Sequence, residues 1–368
     1  MSKTNILPYG DISREECVQA IASTAVSDTH GEGNTVIVQG ETGTGKSAML
    51  ADLQKIFPDH VPLYFDATTK EAGDAMMPKI EVVDGRNSLV FVPASDLGFY
   101  LDKPVILMLD EIGKATRPIQ NVLCRVMLER RIGEFQLPEG SVVFGTTNLA
   151  DEGFGDNAPA YMRNRVNFVT MRKPNAQEWI ENFALLQNIH PTIIQSVSEF
   201  PQMLGSYRDF EKVGDNQYVF DPRQPLPTFC TPRSLELASR MLFRTASMSM
   251  PVRTHLLIGL VGERASMDIM AIDALHAELP RWEEVVKKPS TATVPKQAGA
   301  MCLFVYTAIQ NCETETVAPL MLYLDRLTKE AQALFASAIL RSPKATTVCA
   351  ERPFIDWMAS NSYLFEGN

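Results

Sequence analysis

The sequence has no run of lysine or arginine long enough to follow a phosphate backbone, and its formal net charge is -10. Nonspecific affinity for nucleic acid comes mostly from such cations, so the overall balance argues against DNA or RNA as a partner. A local basic patch, or basic loops lining the pore of an oligomer, stays open. Cysteine is sparse and scattered. Cys17, Cys124, Cys230, Cys302, Cys312 and Cys349 form no C-x-x-C pair and no Cys/His group at zinc spacing, a usage that fits buried, reduced thiols in a cytosolic protein. No apolar stretch approaches the roughly 20 residues that span a bilayer. Met1 to Gly10 also lacks the charged and apolar blocks of a secretory leader. The expectation is a cytoplasmic protein without membrane insertion. The sequence contains no internal repeat, no low-complexity tract and no N-K-x-D string for reading a guanine base.

What is present is ample apolar material. With 368 residues, 45% of them hydrophobic and 21% charged, the chain can bury a sizeable core in about two or three units. Its first part alternates strand-like and helix-like patterns. Thr35 to Gln39, Leu63 to Phe65, Val105 to Leu109, Val142 to Phe144 and Val166 to Thr170 read as strands, with helical patterns between them. That alternation predicts α/β layering around a largely parallel sheet. After Pro118, apolar residues Ile119, Val122, Leu123, Val126 and Met127 recur at helical spacing. Ile80 to Val83 and Leu89 to Val92 flank Asp84-Gly85, a hairpin signal that interrupts the scheme as an insertion. From Pro174 onward the pattern is mainly helical. Residues 204–232 read as a loop excursion broken by Pro222, Pro225, Pro227 and Pro232, with helices resuming at Ser234. Pro289 to Pro295 reads as a linker, and beyond it Leu327, Ala331, Leu334, Phe335 and Ala338 form another helical stripe.

Two strings carry chemistry. Gly40-Glu41-Thr42-Gly43-Thr44-Gly45-Lys46-Ser47 matches G-x-x-x-x-G-K-[ST] between a predicted strand and a predicted helix. Its glycines let backbone N–H groups turn toward phosphate oxygens, and the following helix offers its positive end, so Gly40 to Ser47 and Ala48 would bind the nucleotide. Lys46 would reach the β- and γ-phosphates of ATP, and the Ser47 hydroxyl would ligate Mg²⁺. The second string, Val105-Ile106-Leu107-Met108-Leu109-Asp110-Glu111, is an apolar strand that delivers two adjacent carboxylates at its C-terminal end. Ligands bind at that end in open α/β sheets. Asp110 would hold the Mg²⁺ shell, and Glu111 would act as general base on the attacking water.

Weaker signals complete the set. Gly145-Thr146-Thr147-Asn148 ends another strand, and the Asn148 amide could touch the γ-phosphate or position water, although Thr-Asn after a strand is ordinary turn chemistry. Arg163 and Arg165 immediately precede the last strand, and Arg233 lies in Thr231-Pro232-Arg233-Ser234 at a helix start. A positioned arginine can stabilise charge on a transferring phosphoryl group, whereas most lone arginines are solvated surface residues.

Taken in order, these pieces resemble the AAA+ superfamily. Gly40–Ser47 matches its Walker A, 105–111 its Walker B, Asn148 its sensor 1, Arg165 its arginine finger, with Arg163 a second candidate, and Arg233 its sensor 2. Leu109-Asp110-Glu111-Ile112 followed by Pro118-Ile119-Gln120-Asn121-Val122-Leu123, then Glu129-Arg130-Arg131, and Thr231-Pro232-Arg233-Ser234-Leu235-Glu236 resemble the MoxR branch in particular. The resemblance spans about residues 33–245. It departs from the family around the finger, where Asn164 and Val166 stand in place of the usual Asp and Phe.

The resemblance implies an αβα core with a five-stranded sheet over residues 1–172, with the 80–92 hairpin as the helix-2 insertion. It implies a helical lid over 173–278, and 279–368 would add a linker and a helical C-terminal region. A second hairpin is expected near Gly133-Glu134-Phe135. The resemblance also implies a homo-oligomer, a hexameric ring with ATP between subunits. Its activity would be chaperone-like remodelling of a protein substrate or partner, including one carrying a von Willebrand A domain. A nucleic-acid motor or loader remains an alternative, because one fold serves many functions. So does a nucleotide-gated scaffold with little turnover.

Overall fold

The computed structural model describes residues 10–24, 34–152, 162, 164–212 and 214–362. The chain divides into two compact units, Met1–Lys173 and Pro174–Asn368.

The first unit carries nine strands among its described residues: β1 (Val36–Gly40), β2 (Val61–Asp66), β3 (Met76–Val83), β4 (Arg86–Pro93), β5 (Val105–Asp110), β6 (Arg131–Ile132), β7 (Phe135–Gln136), β8 (Val142–Thr147) and β9 (Asn167–Met171). Helix α1 (Arg14–Thr24) precedes β1, and α2 (Met49–Ile56), α3 (Ala72–Ala75) and α4 (Arg117–Glu129) lie between strands in the chain. Five strands form one sheet in the order β2-β5-β8-β1-β9, with every neighbouring pair parallel. All five C-terminal ends therefore lie along one edge.

Burial on both faces explains why β5 reads as an unbroken apolar run, since all six of its residues are buried. Its side chains alternate between two cores. Val105, Leu107 and Leu109 pack with Ile119, Leu123, Val126 and Met127 of α4. Ile106 and Met108 pack with Cys17 and Ile21 of α1 and with Met49 and Leu53 of α2. The five stripe residues of α4 are all buried, as their spacing predicts. Arg130 closes that helix with φ 54°, and its guanidinium donates to Thr35 Oγ1 at 2.8 Å, which ties the helix end to the start of β1.

The two predicted hairpins are present. β3 and β4 pair antiparallel with Ile80 opposite Leu89. Asp84 and Gly85 take φ of 52° and 75°, the left-handed pair that a tight two-residue turn requires. β6 and β7 pair across Gly133-Glu134.

The second unit is helical. Its core is one apolar cluster that runs from Trp179 through Phe304 to Trp357, so residues on both sides of the Pro289 to Pro295 segment share it. Between Leu204 and Thr231 the described chain has a single helical turn, Tyr207–Asp209. Pro232, read from the sequence as a breaker, is instead the first residue of the helix Pro232–Arg244, where its missing N–H costs nothing and its fixed φ suits the turn. No helix among the described residues is long and apolar enough to cross a membrane. All six cysteines are free thiols.

Candidate functional site

The loop between β1 and α2 is shaped by two glycines for different reasons. Gly45 has φ 94°, a conformation that L side chains rarely adopt. Gly40 lies so close to β9 that an added Cβ would stand 2.9 Å from the Met171 carbonyl oxygen. In front of Gly45 the space is open, with nothing within 4 Å of an added Cβ. Lys46–Ala48 form a single 3₁₀ turn that runs into α2. Backbone N–H groups at a helical start are a common anion-binding feature.

Lys46 is buried, and its Nζ donates to the carbonyls of Gly40 at 2.8 Å and Glu41 at 2.9 Å and to Asn148 Oδ1 at 2.8 Å. Beside it, the Ser47 hydroxyl donates to Asp110 Oδ2 at 3.4 Å. Asp110 is buried and also accepts from the Tyr64 phenol at 2.8 Å and from the Thr146 hydroxyl. Burial, then the hydrogen bond to Asp110, pushes the Tyr64 phenol well above its ordinary value, so Tyr64 stays a donor. Glu111 follows with φ 54°. Its N–H points to Thr146 Oγ1 at 3.4 Å, and its carboxylate lies 3.2 Å from Lys114 Nζ. Thus Lys46, Ser47, Asp110, Glu111 and Asn148 meet at the C-terminal edge of the sheet.

Arg165 is exposed, two residues ahead of β9, whose first residue Asn167 pairs with Val36 at the start of β1. Five strand residues at about 3.3 Å each set it about 16 Å from the Gly40–Ser47 loop, at the opposite edge. Arg163 lies outside the described residues. Arg233 is exposed and belongs to the second unit, where Thr231 caps its helix by accepting from the Ser234 N–H at 3.0 Å.

The donor set suits magnesium. A hydroxyl and a carboxylate are hard oxygen ligands, and Mg²⁺ is commonly held by one or two protein oxygens plus phosphate and water. Among the described residues no cluster of three or more His, Cys, Asp or Glu could hold a metal, so the remainder of such a shell would come from the triphosphate and solvent.

Several members of this site were not singled out by the sequence. Tyr64, Lys114, Glu152 and Lys173 have no motif of their own. Thr146 becomes readable once the strand order is known, because Leu109 pairs with Gly145 and sets Asp110 beside the next residue. Glu152 accepts from the Thr42 N–H with both carboxylate oxygens, at 3.1 and 3.2 Å. Lys173 forms an ion pair with Glu41 at 2.8 Å.

Residues 35–165 match the family model described as AAA domain (dynein-related subfamily). No curated protein matches in sequence. Among solved structures, the chain is similar to the RuvB Holliday junction branch migration motor of Thermotoga maritima, with 12% identity over 70% of this chain and 68% of that one, at a TM-score of 0.35. A RuvB mutant from the same organism gives 12% identity over 70% and 68%, at a TM-score of 0.37. A full-length MCM homolog from Methanopyrus kandleri gives 12% identity over 70% and 54%, at a TM-score of 0.30. Over residues 35–165, therefore, the chain is similar to an AAA domain.

Proposed function

We propose that this chain is a magnesium-dependent ATP hydrolase that works as one subunit of a ring, hexameric by its MoxR-like resemblance, and remodels or activates partner proteins. A protein carrying a von Willebrand A domain is the partner class this resemblance suggests. The observation that carries the reading is the meeting of Ser47 with Asp110 beside Lys46 at the C-terminal edge of a parallel sheet.

Each residue has a task that follows from its place. Lys46 exchanges protein acceptors for phosphate oxygens when the triphosphate enters, and the N–H groups of the Gly43–Ala48 stretch take the rest of the negative charge. Ser47 and Asp110 hold magnesium, which when bound neutralises phosphate charge. Glu111 takes the proton of the attacking water, with its carboxylate oriented by Lys114. Asn148, already on the Lys46 ammonium, reports the γ-phosphate to the strand behind it. Arg165, on the edge away from its own loop, supplies its charge to a neighbouring subunit's nucleotide, which is why the ring is part of the proposal. Arg233 is the sensor-2 member of the same set.

The test is Glu111→Gln. It should bind ATP and assemble as wild type does while phosphate release falls about 10²–10⁴-fold, the usual worth of a positioned general base. Full turnover in this variant would remove Glu111 from its role. A pull-down with the same ATP-trapped variant would name the partner.

A further inference from the structure

The strand that carries the nucleotide loop, β1, lies between β8 and β9 in the sheet. Each neighbour sends one charged side chain from just past its C-terminal end onto the loop. After β8 and Asn148, the single turn Ala150–Glu152 leads to Glu152, a residue only 4% exposed, whose carboxylate accepts from the Thr42 N–H with both oxygens. Just past β9, Lys173 meets the Glu41 carboxylate at 2.8 Å, with side chains only 4% and 7% exposed. Adjacent residues of the loop, 41 and 42, are therefore held from opposite sides.

From this geometry we infer that Glu152 and Lys173 are positioning residues that clamp the start of the loop and so pre-aim its later N–H groups at phosphate. The inference rests on the ATP-binding reading of the site and adds residues that reading does not use. A loop with glycines at 43 and 45 has many conformations to lose on binding, and fixing two of its peptides beforehand lowers that cost. Among the described residues Glu152 accepts from the Thr42 N–H, at the start of the loop and ahead of Gly45, so it braces the cradle from its N-terminal side. Burial raises the Glu152 carboxyl pKa, while the Thr42 N–H and the Lys46 and Lys173 ammoniums oppose that rise. A carboxylate tolerated in such a place is there for its acceptor oxygens.

The experiment is equilibrium titration of ADP and of ATP, each with magnesium, into wild type, Glu152→Ala and Glu152→Gln. Glu152→Ala should lose about tenfold in affinity for both nucleotides alike, the worth of one hydrogen bond to a charged group. In steady state that loss should enter KM and leave kcat near wild type. Glu152→Gln keeps an acceptor for Thr42 and removes a negative charge beside Lys46, so it should bind as tightly as wild type or tighter. Wild-type affinity in Glu152→Ala would overturn the inference, as would an equal loss in the Gln variant. For the other side of the clamp, Glu41→Met combined with Lys173→Met replaces the buried pair by apolar side chains, a change that folds tolerate well. It should melt like wild type and bind both nucleotides about tenfold more weakly; unchanged binding would overturn the role of Lys173. If wild type itself binds neither nucleotide, the ATPase reading falls first, and that result is distinct from any pattern among the variants.

Discussion

Each unit of the chain buries a cluster of charged and polar side chains, and the two clusters differ in what they leave open. In the second unit Thr192 is fully buried. Its hydroxyl lies 3.2 Å from Asp273 Oδ1 and 3.0 Å from His276 Nε2, its N–H donates to His190 Nδ1, and Arg253 pairs with Asp273 at 2.8 Å. The groups of that network face one another and hold helices together. In the first unit Lys46 bonds to Asn148 and Ser47 to Asp110 beside the glycine loop, and the Lys46 ammonium rests on two backbone carbonyls and an amide. A buried polar network is a candidate site when a ligand could offer its groups better partners than they now have. The Lys46 ammonium, which meets neutral acceptors in its bonds to Gly40, Glu41 and Asn148, satisfies that criterion for an anion.

The contrast can be broken by substitution. The largest effect is expected at Arg165, which tests whether the first cluster is complete within one chain. Arg165→Ala should bind ATP normally and hydrolyse about 10³-fold more slowly. Mixing it with Lys46→Ala subunits should restore part of the activity, because intact loops then meet intact arginines. No recovery at any mixing ratio would mean that sites are not shared between subunits.

A smaller effect sharpens the other half of the comparison. Burial pushes His190 down to about 4, helped by His276 and Arg253 and opposed by Asp273. Burial also lowers His276. Unfolded, His190 takes up a proton near its ordinary 6.5; folded, it stays neutral. Stability is therefore full above about pH 6.5 and falls as the pH drops toward 4, because only the unfolded chain gains the proton. Thermal melting between pH 7 and 4 should show this slope. His190→Asn keeps an acceptor for the Thr192 N–H and should flatten it without changing nucleotide affinity. An unchanged slope would mean that His190 is not a source of the acid sensitivity.

Sequence alone conveyed the parts of this molecule whose physics is local. The β5 run, the stripe on α4, the Asp84-Gly85 turn and the loop glycines each leave a mark within a few residues. What it could not convey depends on strand order. Tyr64 reaches Asp110 because β2 pairs with β5, and Thr146 does so because β8 lies on the other side. Glu152 and Lys173 grip the loop because β8 and β9 flank β1. None of these four has a fixed offset from the motif it serves. The 204–231 stretch is a different case: Tyr218 and Val219 are buried in the helical core, although the surrounding chain has little regular structure and no periodicity to betray it.

The proposed activity requires Lys46, Ser47 and Asp110 to receive a magnesium-bound triphosphate together. Calorimetric titration of ATP into wild type and Lys46→Ala, with magnesium and with a chelator, measures this directly. Binding should depend on magnesium in wild type and weaken about 100-fold or more in Lys46→Ala, as expected for loss of a charge-assisted contact to phosphate. Equal affinity in both proteins, indifferent to magnesium, would contradict it.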